Sequence, residues 1–390
     1  MQKLLALILV LAFITGLSSC GESTGIYEFE VPPTSTSGST PITVSETKTP
    51  RANNAACDIA LVIDHVNIND NDLTRESWKG VRAYCDAAQI SCNYYSSIDN
   101  SYEARIDAIN RAAENGAGVI VCAGPMYSAP VFWAQSIYPD MQFLIIDGVP
   151  ADPDDPGYAY ISENTHAVNF REEQSGYLAG YAAVMEGHRN LGFFGAEATP
   201  AVIRYSYGFI QGADGAARFL ELPYGDVTVR HWYSGDNYPN DYLRPIIDSW
   251  FAEGIDLIFA CGGSIYISAI AAASDAGGSV ICAESDKAVE SDLVLTTALR
   301  NISVSVEGAL YDLFANGGVW DEGRAGVNII FGAQEGSVGL PDNPDYWRFK
   351  YWSISSYYNL LDDIKNGSTI ISGGTDTRPG TFLVETDYYN

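Results

Sequence analysis

The stretch GVIVCAGPMYSAPVFWAQSIYPDMQFLIID, residues 118–147, decides the fold class of this chain. Two short apolar runs, residues 118–124 and 142–147, flank a segment of helical period at 129–138. Continuous apolar runs are typical of strands that are buried on both faces, and such strands are joined in parallel by a helix. The stretch therefore predicts a β-α-β unit of a doubly wound parallel sheet.

The same alternation of strands and helices extends in both directions from this unit. Further strands are predicted at 59–64, 91–96 and 158–162, with helices at 73–88 and 102–115. A second series of alternating elements begins at Glu172. Its predicted helices are at 172–185, 202–220, 242–253 and 265–276, and its predicted strands are at 190–196, 227–233, 257–263 and 279–285. We expect an α/β protein with two lobes, which bind ligand between the carboxyl ends of their strands.

The composition limits the classes of partner. The 390 residues are 47% hydrophobic and 18% charged, as expected for a globular chain with more than one core. Lys and Arg number 21 against 49 Asp and Glu, which gives a formal charge of -28. Because a surface that binds polyanions must be basic, this charge argues against nucleic acid and against anionic lipid surfaces as partners.

The first twenty residues resemble a bacterial secretory signal. Lys3 provides a positive start, residues 4–15 are apolar, and the segment closes with small residues before Cys20. This ending resembles a lipoprotein lipobox, so we expect residues 1–20 to be the signal peptide and Cys20 to be lipidated. An ordinary secretory signal with an incidental Cys is the alternative. Residues 21–56 are rich in Ser, Thr and Pro and are predicted to be a disordered tether.

The remaining six of the seven cysteines show neither a CxxC pair nor the spacing of a metal site. Cys122, Cys261 and Cys282 lie in apolar runs and are predicted to be buried. Cys57, Cys85 and Cys92 lie beside predicted elements, where a disulfide of open connectivity is compatible with an exported protein.

Polar residues at the ends of the predicted strands are the candidates for chemistry. They are Asp64, residues 124–127, Asp147, residues 163–164, residues 262–264 and residues 284–286. Aromatic residues near strand ends could stack on a ligand, although such rings also build α/β cores: Tyr127, Phe132, Trp133, Phe170, Tyr205, Tyr233 and Tyr266.

Motifs of the common enzyme classes are absent from the sequence. It contains no GxSxG, HExxH, GxxxxGK[ST] or GxGxxG after a strand. His65 is the one histidine that follows a strand closely enough to reach a ligand, and a solvated loop position is its alternative. The acidic run 65–72 lacks the central Gly and the final Glu of an EF-hand, which argues against calcium.

Five motifs follow one another in order between residues 58 and 340. They are IDHVNINDNDLTRESWKG at 63–80, FREEQSGYLAGY at 170–181, a stretch at 195–209, ICAESDK at 281–287 and FGAQEGSVGL at 331–340. Together they resemble the basic membrane protein family of ABC-transporter substrate-binding lipoproteins, which includes purine nucleoside receptors. In that family the first motif reads T-D-x-G-G-x-x-D-x-S-F-N-x-x-x-W-x-G and the fourth reads I-G-V-D-S-D-Q.

The resemblance implies the type I periplasmic-binding-protein fold, in which the chain crosses three times between two lobes. Residues 57–168 and 301–331 would then form the N-terminal lobe, and residues 169–300 and 332–390 the C-terminal lobe. The helical period at 351–364 would be a C-terminal addition to the second lobe.

The resemblance also implies a ligand site in the cleft. The expected contacts are Asp64, Asp70, Leu73, Thr74, Tyr127, Ser128, Tyr205, Gly263, Ser264, Glu284, Asp286 and Arg300. Sugar hydroxyls need carboxylate acceptors such as Glu284, and a heterocycle needs a ring face such as Tyr205. Leu73 and Thr74 stand where nucleoside receptors have Phe and Asn, and Ala129 stands where they have Asp. One stacking ring and one acceptor for a sugar hydroxyl are therefore missing.

These features predict a lipid-anchored receptor at the outer face of a bacterial cytoplasmic membrane, which delivers a nucleoside-like ligand to an ABC permease. We expect a monomer without a cofactor or metal and without enzymatic activity. One alternative is a surface lipoprotein with an adhesin or sensor role, which the acidic, Tyr-rich composition leaves open. The other is a receptor for a modified nucleoside, a free base, or a sugar-like or signalling compound.

Overall fold

The computed structural model of the chain describes residues 57–64, 67–69, 71–155 and 157–389. The predicted signal peptide, the lipidated Cys20 and the tether lie outside these ranges, as do His65 and Asp70. Within the described ranges, every helix is too short or too polar to cross a membrane.

Parallel strands form the first sheet. Its elements in chain order are β1 (Ile59–Ile63), α1 (Asp72–Ala88), β2 (Cys92–Ser96), α2 (Tyr102–Glu114), β3 (Val119–Ala123), α3 (Ser128–Ile137), β4 (Gln142–Ile146) and β5 (Thr165–Phe170). These strands are arranged in the order β5-β4-β3-β1-β2, and each adjacent pair is parallel. Every residue of β1, β3 and β4 is buried, which explains their unbroken apolar sequences.

One predicted strand of this sheet is wrong. The fifth strand is β5, whereas the predicted strand at 158–162 contributes only an isolated bridge between Ala151 and Ala159. Tyr158 and Tyr160 are 54% and 52% exposed. A strand inside a parallel sheet is covered on both faces, and the buried residues of β5 meet this condition.

The second sheet follows the same plan. Its first elements are α4 (Glu172–Met185), β6 (Asn190–Gly195), α5 (Pro200–Phe219), β7 (Thr228–Tyr233), α6 (Leu243–Ala252), β8 (Leu257–Cys261), α7 (Tyr266–Ala276), β9 (Ser279–Glu284) and β10 (Val294–Arg300). These strands are arranged in the order β10-β9-β8-β6-β7, with every pair parallel. The sequence predicted all of these elements except β10.

The chain passes between the two sheets three times. It leaves the first sheet after β5 and returns after β10 through α8 (Ile302–Ala315), which packs against α1. It then adds β11 (Val327–Phe331) beside β5 and crosses again to β12 (Val338–Gly339), which is antiparallel to β10. This topology confirms the predicted fold class of two doubly wound lobes with three crossings.

The C-terminal segment extends the second sheet. The helix predicted at 351–364 is α9 (Ile354–Lys365), which packs against α4. The last strand, β13 (Glu385–Tyr388), pairs in parallel with β7 and was not predicted. Before this strand, Asp214 Oδ1 accepts hydrogen bonds from three successive backbone N–H groups, those of residues 382–384. These bonds hold the segment against α5.

Helices α4 and α5 approach each other through glycines. Each helix has a Gly-x-x-x-Gly pair, formed by Gly176 and Gly180 in α4 and by Gly208 and Gly212 in α5. A Cβ atom on Gly212 would lie 1.9 Å from the carbonyl oxygen of Tyr177. Because no side chain fits into this space, the close contact of the two backbones requires glycine.

All six cysteines of the described residues are free. Cys122, Cys261 and Cys282 are buried, as predicted. Among the three cysteines for which a disulfide was left open, the thiols of Cys85 in α1 and Cys92 in β2 are in hydrogen-bonding contact.

Candidate functional site

A cleft between the two sheets contains a first cavity of about 510 Å³. Much of its wall consists of residues at or just after strand ends in both lobes: Asp64, Pro125, Met126, Asp147, Gly262, Gly263 and Glu284. The carboxyl ends of the parallel strands therefore face this cavity, and open α/β sheets bind ligands in this position.

A second cavity of about 500 Å³ adjoins the first. The two cavities share Pro125, Asp147, Thr199 and Ala201 as lining residues. Thr199 caps α5 at this shared wall, where its Oγ1 accepts a hydrogen bond from the backbone N of Val202 at 3.4 Å. The start of α5 thus lies between the two cavities.

Arg300, at the end of β10, is the centre of a buried ionic network. The residue is 4% exposed. Its Nη1 donates to Asp147 Oδ2 and, at 3.1 Å, to Glu172 Oε1, while its Nη2 donates to Glu284 Oε1 at 2.8 Å. Because Asp147 follows a strand of the first sheet and Glu284 ends a strand of the second, one guanidinium joins the two lobes.

Burial and ion pairing act against each other in this network. Burial raises the pKa of Glu284, and Arg300 opposes this rise. Burial also lowers the pKa of Arg300, but Asp147 and Glu284 hold it well above its ordinary value. Asp147 and Glu284 have φ angles of 60° and 75°. Residues other than glycine that are held in this left-handed conformation are concentrated at binding sites.

Tyr205 of α5 forms part of the wall contributed by the second lobe. The residue is 1% exposed, and its ring meets that of Phe259 edge-on with the ring centroids 6.1 Å apart. Burial raises the pKa of its hydroxyl well above the ordinary value. Within the described part of the chain this hydroxyl has no hydrogen-bond partner. A buried polar group without a partner is costly, and a polar atom of a ligand would satisfy it.

Asp64 and Leu73 lie on the wall contributed by the first lobe. Asp64 accepts hydrogen bonds from Arg105 Nε at 2.6 Å and from Arg105 Nη2 at 3.2 Å. This bidentate pair fixes the orientation of the carboxylate at the edge of the cavity. Leu73 offers only an apolar contact, as its side chain implies.

The structure brings half of the predicted ligand residues to the two cavities. The residues that line the first cavity are Asp64, Leu73, Tyr205, Gly263 and Glu284, and Ser128 lines the second. Asp286 and Arg300 instead line a third, polar pocket, which also contains Arg75 and Lys287 and shares Glu284 with the first cavity.

Among the other predicted residues that the structure describes, Thr74, Tyr127 and Ser264 are not part of the lining of either cavity. Thr74 is buried in the first turn of α1, and Tyr127 is fully buried in the core of the first lobe. The backbone N of Ser264 donates to the carbonyl oxygen of Asn237 at 2.8 Å. Asp70 lies outside the described residues.

Several residues of the first cavity were not among the predicted contacts. Asp147 directly follows an apolar strand, so the sequence did carry a signal for it. Glu197 and Asn237 lie two and four residues beyond β6 and β7, in loops without a distinctive pattern. Arg105 lies inside α2, and only the fold brings it to Asp64. In the ranges that the structure describes, no group of three His, Cys, Asp or Glu side chains could hold a metal ion.

Comparison with known proteins identifies the family. The family of PnrA-like ABC transporter substrate-binding proteins, Bmp, matches residues 58–356. The chain belongs to this family. Basic membrane protein B of Borreliella burgdorferi is 28% identical over 255 residues, which cover 64% of this chain and 70% of that protein. Basic membrane protein D of the same species is 24% identical over 319 residues, which cover 81% of this chain and 86% of that protein.

Solved structures share the fold of this Bmp-family protein. A solute-binding protein of an ABC transporter system from Aeropyrum pernix superposes with a TM-score of 0.68 and 16% identity over 82% of this chain and 94% of that chain. A transcriptional activator of the comK gene from Bacillus halodurans superposes with a TM-score of 0.62 and 17% identity, over 80% of this chain and 98% of that chain. At such identities the likeness establishes the fold and not the ligand.

Proposed function

We propose that this protein is a lipid-anchored receptor that captures a nucleoside in the first cavity and delivers it to an ABC permease. Membership of the substrate-binding family supports the receptor class. The ligand class depends on one observation: strand-end carboxylates and the buried, unpartnered hydroxyl of Tyr205 line the same cavity.

The chemistry of these groups suits a sugar joined to a heterocycle. Sugar hydroxyls donate to carboxylates, and each such bond contributes about 1.5–3 kcal/mol. Arg300 holds the carboxylates of Asp147 and Glu284 at the cleft, so their remaining lone pairs have fixed directions. The Tyr205 ring borders the cavity, but at 1% exposure it must become more accessible on binding to contact a heterocycle. The volume of the cavity, about 510 Å³, lies within the usual range for small-molecule sites.

The proposed cycle requires binding and release without a chemical step. Ligand that contacts strand ends of both lobes stabilises the arrangement in which the lobes are close together, as in other two-lobed binding proteins. A lipid on Cys20 would keep the receptor beside its permease, and two acyl chains are enough for stable anchoring.

Ligand binding to the detergent-solubilised protein tests this proposal. Thermal shift should show stabilisation by a nucleoside among a panel of nucleosides, free bases and monosaccharides. Glu284→Gln and Tyr205→Ala should each weaken calorimetric binding of that nucleoside by roughly tenfold or more. Glu253→Gln and Tyr224→Ala are matched controls, because both residues are exposed and lie outside the cavities.

Two outcomes would contradict the ligand assignment. A monosaccharide that binds when no nucleoside does would replace the ligand class. A bound nucleoside that is indifferent to both cavity substitutions would show that the site lies elsewhere. Anchoring is tested separately, since Cys20→Ala should release the protein from membranes, and its retention after a high-salt wash would contradict lipidation.

A further inference from the structure

The second cavity has no role in the function proposed above, although it adjoins the proposed nucleoside site and shares four lining residues with it. Asp147 belongs to both walls, with Oδ2 facing Arg300. A ligand long enough to pass Asp147 would occupy both cavities.

Two buried carboxylates of the second cavity each have an oxygen without a partner. Glu173 is 3% exposed and Asp147 is 9% exposed. In the described part of the chain, neither Glu173 Oε2 nor Asp147 Oδ1 accepts a hydrogen bond. Arg171 Nη1 lies 3.8 Å from the other oxygen of Glu173, and its side chain is half exposed. Burial raises the pKa of Glu173 to about 7, in keeping with this weak pairing.

When all the charged groups of the ion pairs around the second cavity are ionised, the negative charges outnumber the positive charges by one. The ion pairs join four carboxylates, Asp147, Glu172, Glu173 and Glu284, to three guanidiniums, Arg171, Arg204 and Arg300. Arg204 and Arg300 bind the other three carboxylates at hydrogen-bonding distance. The weakly matched charge therefore falls on Glu173.

A segment beyond the family match closes this cavity. Gly373, between α9 and β13, lines the second cavity and lies against Glu173. A Cβ atom at Gly373 would lie 2.9 Å from Glu173 Oε1. The side chain of Gln211 holds the neighbouring Ser372 through two hydrogen bonds to its backbone. The family match ends at residue 356, so this wall belongs to the additional C-terminal segment.

We propose that the second cavity is a subsite for a primary ammonium group of the ligand, which donates to Glu173 Oε2 and Asp147 Oδ1. The ligand is then a nucleoside that bears an amine. An ammonium supplies the missing positive charge and has three N–H donors for the two open acceptors. This inference rests on the proposed nucleoside function.

Matched neutral and amine-bearing probes test the subsite. Calorimetry compares adenosine with 5′-amino-5′-deoxyadenosine and with N6-(2-aminoethyl)adenosine, which carry the amine at opposite ends of the nucleoside. At a pH where the amine is protonated, the wild type should bind at least one amine probe roughly tenfold more tightly than adenosine, as expected for a charge-assisted bond. Glu173→Gln should abolish that preference.

Gly373→Ala provides a second variant that keeps the carboxylate. Its new methyl group must displace Glu173, so it should also reduce the preference for the amine. Gly374→Ala is the matched control, because a Cβ atom there meets only Ser372 Oγ at 3.7 Å. This control should retain the wild-type preference.

The outcomes separate this inference from the function on which it rests. Binding of adenosine without a preference for either amine probe would overturn the subsite and leave the nucleoside receptor standing. A preference that persists in Glu173→Gln would also overturn the subsite. If no nucleoside of the thermal-shift panel and no amine probe bound, the nucleoside function would fail, and the subsite would fail with it.

Discussion

The ammonium group of Lys287 lies 2.7 Å from Oδ2 and 3.0 Å from Oδ1 of Asp72, across the interface of the two lobes. Asp72 begins α1 in the first lobe, and Lys287 follows β9 in the second. Both residues are buried, with 3% and 2% exposure. Burial would raise the pKa of Asp72, but Lys287 and Ser285 hold it below its ordinary value. Any movement that separates the lobes here must break this pair.

Asp72 and Lys287 both depart from the family motifs that the sequence resembles. Those motifs have Ser at the position of Asp72 and Gln at the position of Lys287. The two departures introduce opposite charges at positions that are far apart in sequence and adjacent in the structure. We therefore expect the pair to function as a latch that favours contact between the lobes.

Lys287→Gln tests this latch. Removal of one partner leaves a buried carboxylate poorly compensated, and the expected loss is about 3–5 kcal/mol, reduced by the remaining Arg75 contact. Without ligand, small-angle scattering should show a larger radius of gyration for this variant than for the wild type. Urea unfolding should measure the loss of unfolding free energy. The double variant Asp72→Ser, Lys287→Gln should recover most of the loss.

Arg82→Gln is the control on the same helix. Arg82 pairs with Asp86 at 3.6 Å, and the two side chains are 58% and 71% exposed. Loss of such a surface pair should change stability by at most about 1 kcal/mol. The single variant Asp72→Ser completes the comparison. A double variant whose loss of stability equals the sum of the losses in Asp72→Ser and Lys287→Gln would contradict the latch.

A second prediction concerns the glycine contact of α4 and α5. Gly212→Ala should destabilise the protein by several kcal/mol, roughly the upper range for single substitutions, because a Cβ atom would overlap the backbone of Tyr177. Gly308→Ala in α8 is the opposite case, since nothing lies within 4 Å of a Cβ atom there. It should stabilise the protein by about 0.5–1 kcal/mol. Thermal and urea unfolding measure both, and equal effects would contradict the packing argument.

A third prediction concerns stability in acid. Burial, with a contribution from Arg378, lowers the pKa of His231 to about 4. The unfolded chain binds this proton near pH 6.5, so the stabilisation is complete above pH 6.5 and is lost as the pH falls towards 4. Between pH 8 and pH 5 the wild type should lose about 2 kcal/mol more than His231→Phe.

The choice of Phe preserves packing at this position, because His231 stacks on Phe193 with the ring centroids 5.2 Å apart. His166, whose pKa burial also lowers to about 4, remains in the variant and provides residual pH dependence. Parallel pH profiles for the two proteins would show that His231 is not the titrating group.

A fourth prediction concerns the contact between the thiols of Cys85 and Cys92. Exchange with oxidised glutathione should join them in a disulfide and release two reduced glutathione molecules. Mass spectrometry should show the loss of two hydrogen atoms in a peptide that contains both residues.

Closure of the short loop between Cys85 and Cys92 should raise the unfolding free energy by about 2–3 kcal/mol. Cys57, which contacts the Tyr95 hydroxyl, should remain free, and stable glutathione adducts at Cys85 or Cys92 would contradict the pairing.

The sequence by itself determined most of the strands and helices and their alternation, although β10 and β13 were not predicted. Val119–Ala123 and Leu257–Cys261 are buried at every position, and their continuous apolar sequences predict this burial. One wrong prediction is informative: residues 158–162 contain apolar and aromatic side chains but stay at the surface, and Thr165–Phe170 takes their place. Local pattern cannot decide between neighbouring segments that compete for one position in a sheet.

Only the tertiary structure decided which strand-end residues meet and what each one contacts. Tyr127 and Tyr205 are both candidates in the sequence and both are buried in a core, yet Tyr205 also lines the first cavity whereas Tyr127 lines neither of the two cavities. The pair of Asp72 and Lys287 and the network of Arg300 depend on residues brought together by the three crossings. The contacts of Lys287 with Asp72 and of Arg300 with Asp147 and Glu172 join positions more than a hundred residues apart, and no local periodicity encodes them. The physical reason is that ion pairing selects partners by distance in space, whereas the sequence pattern records only burial along each element.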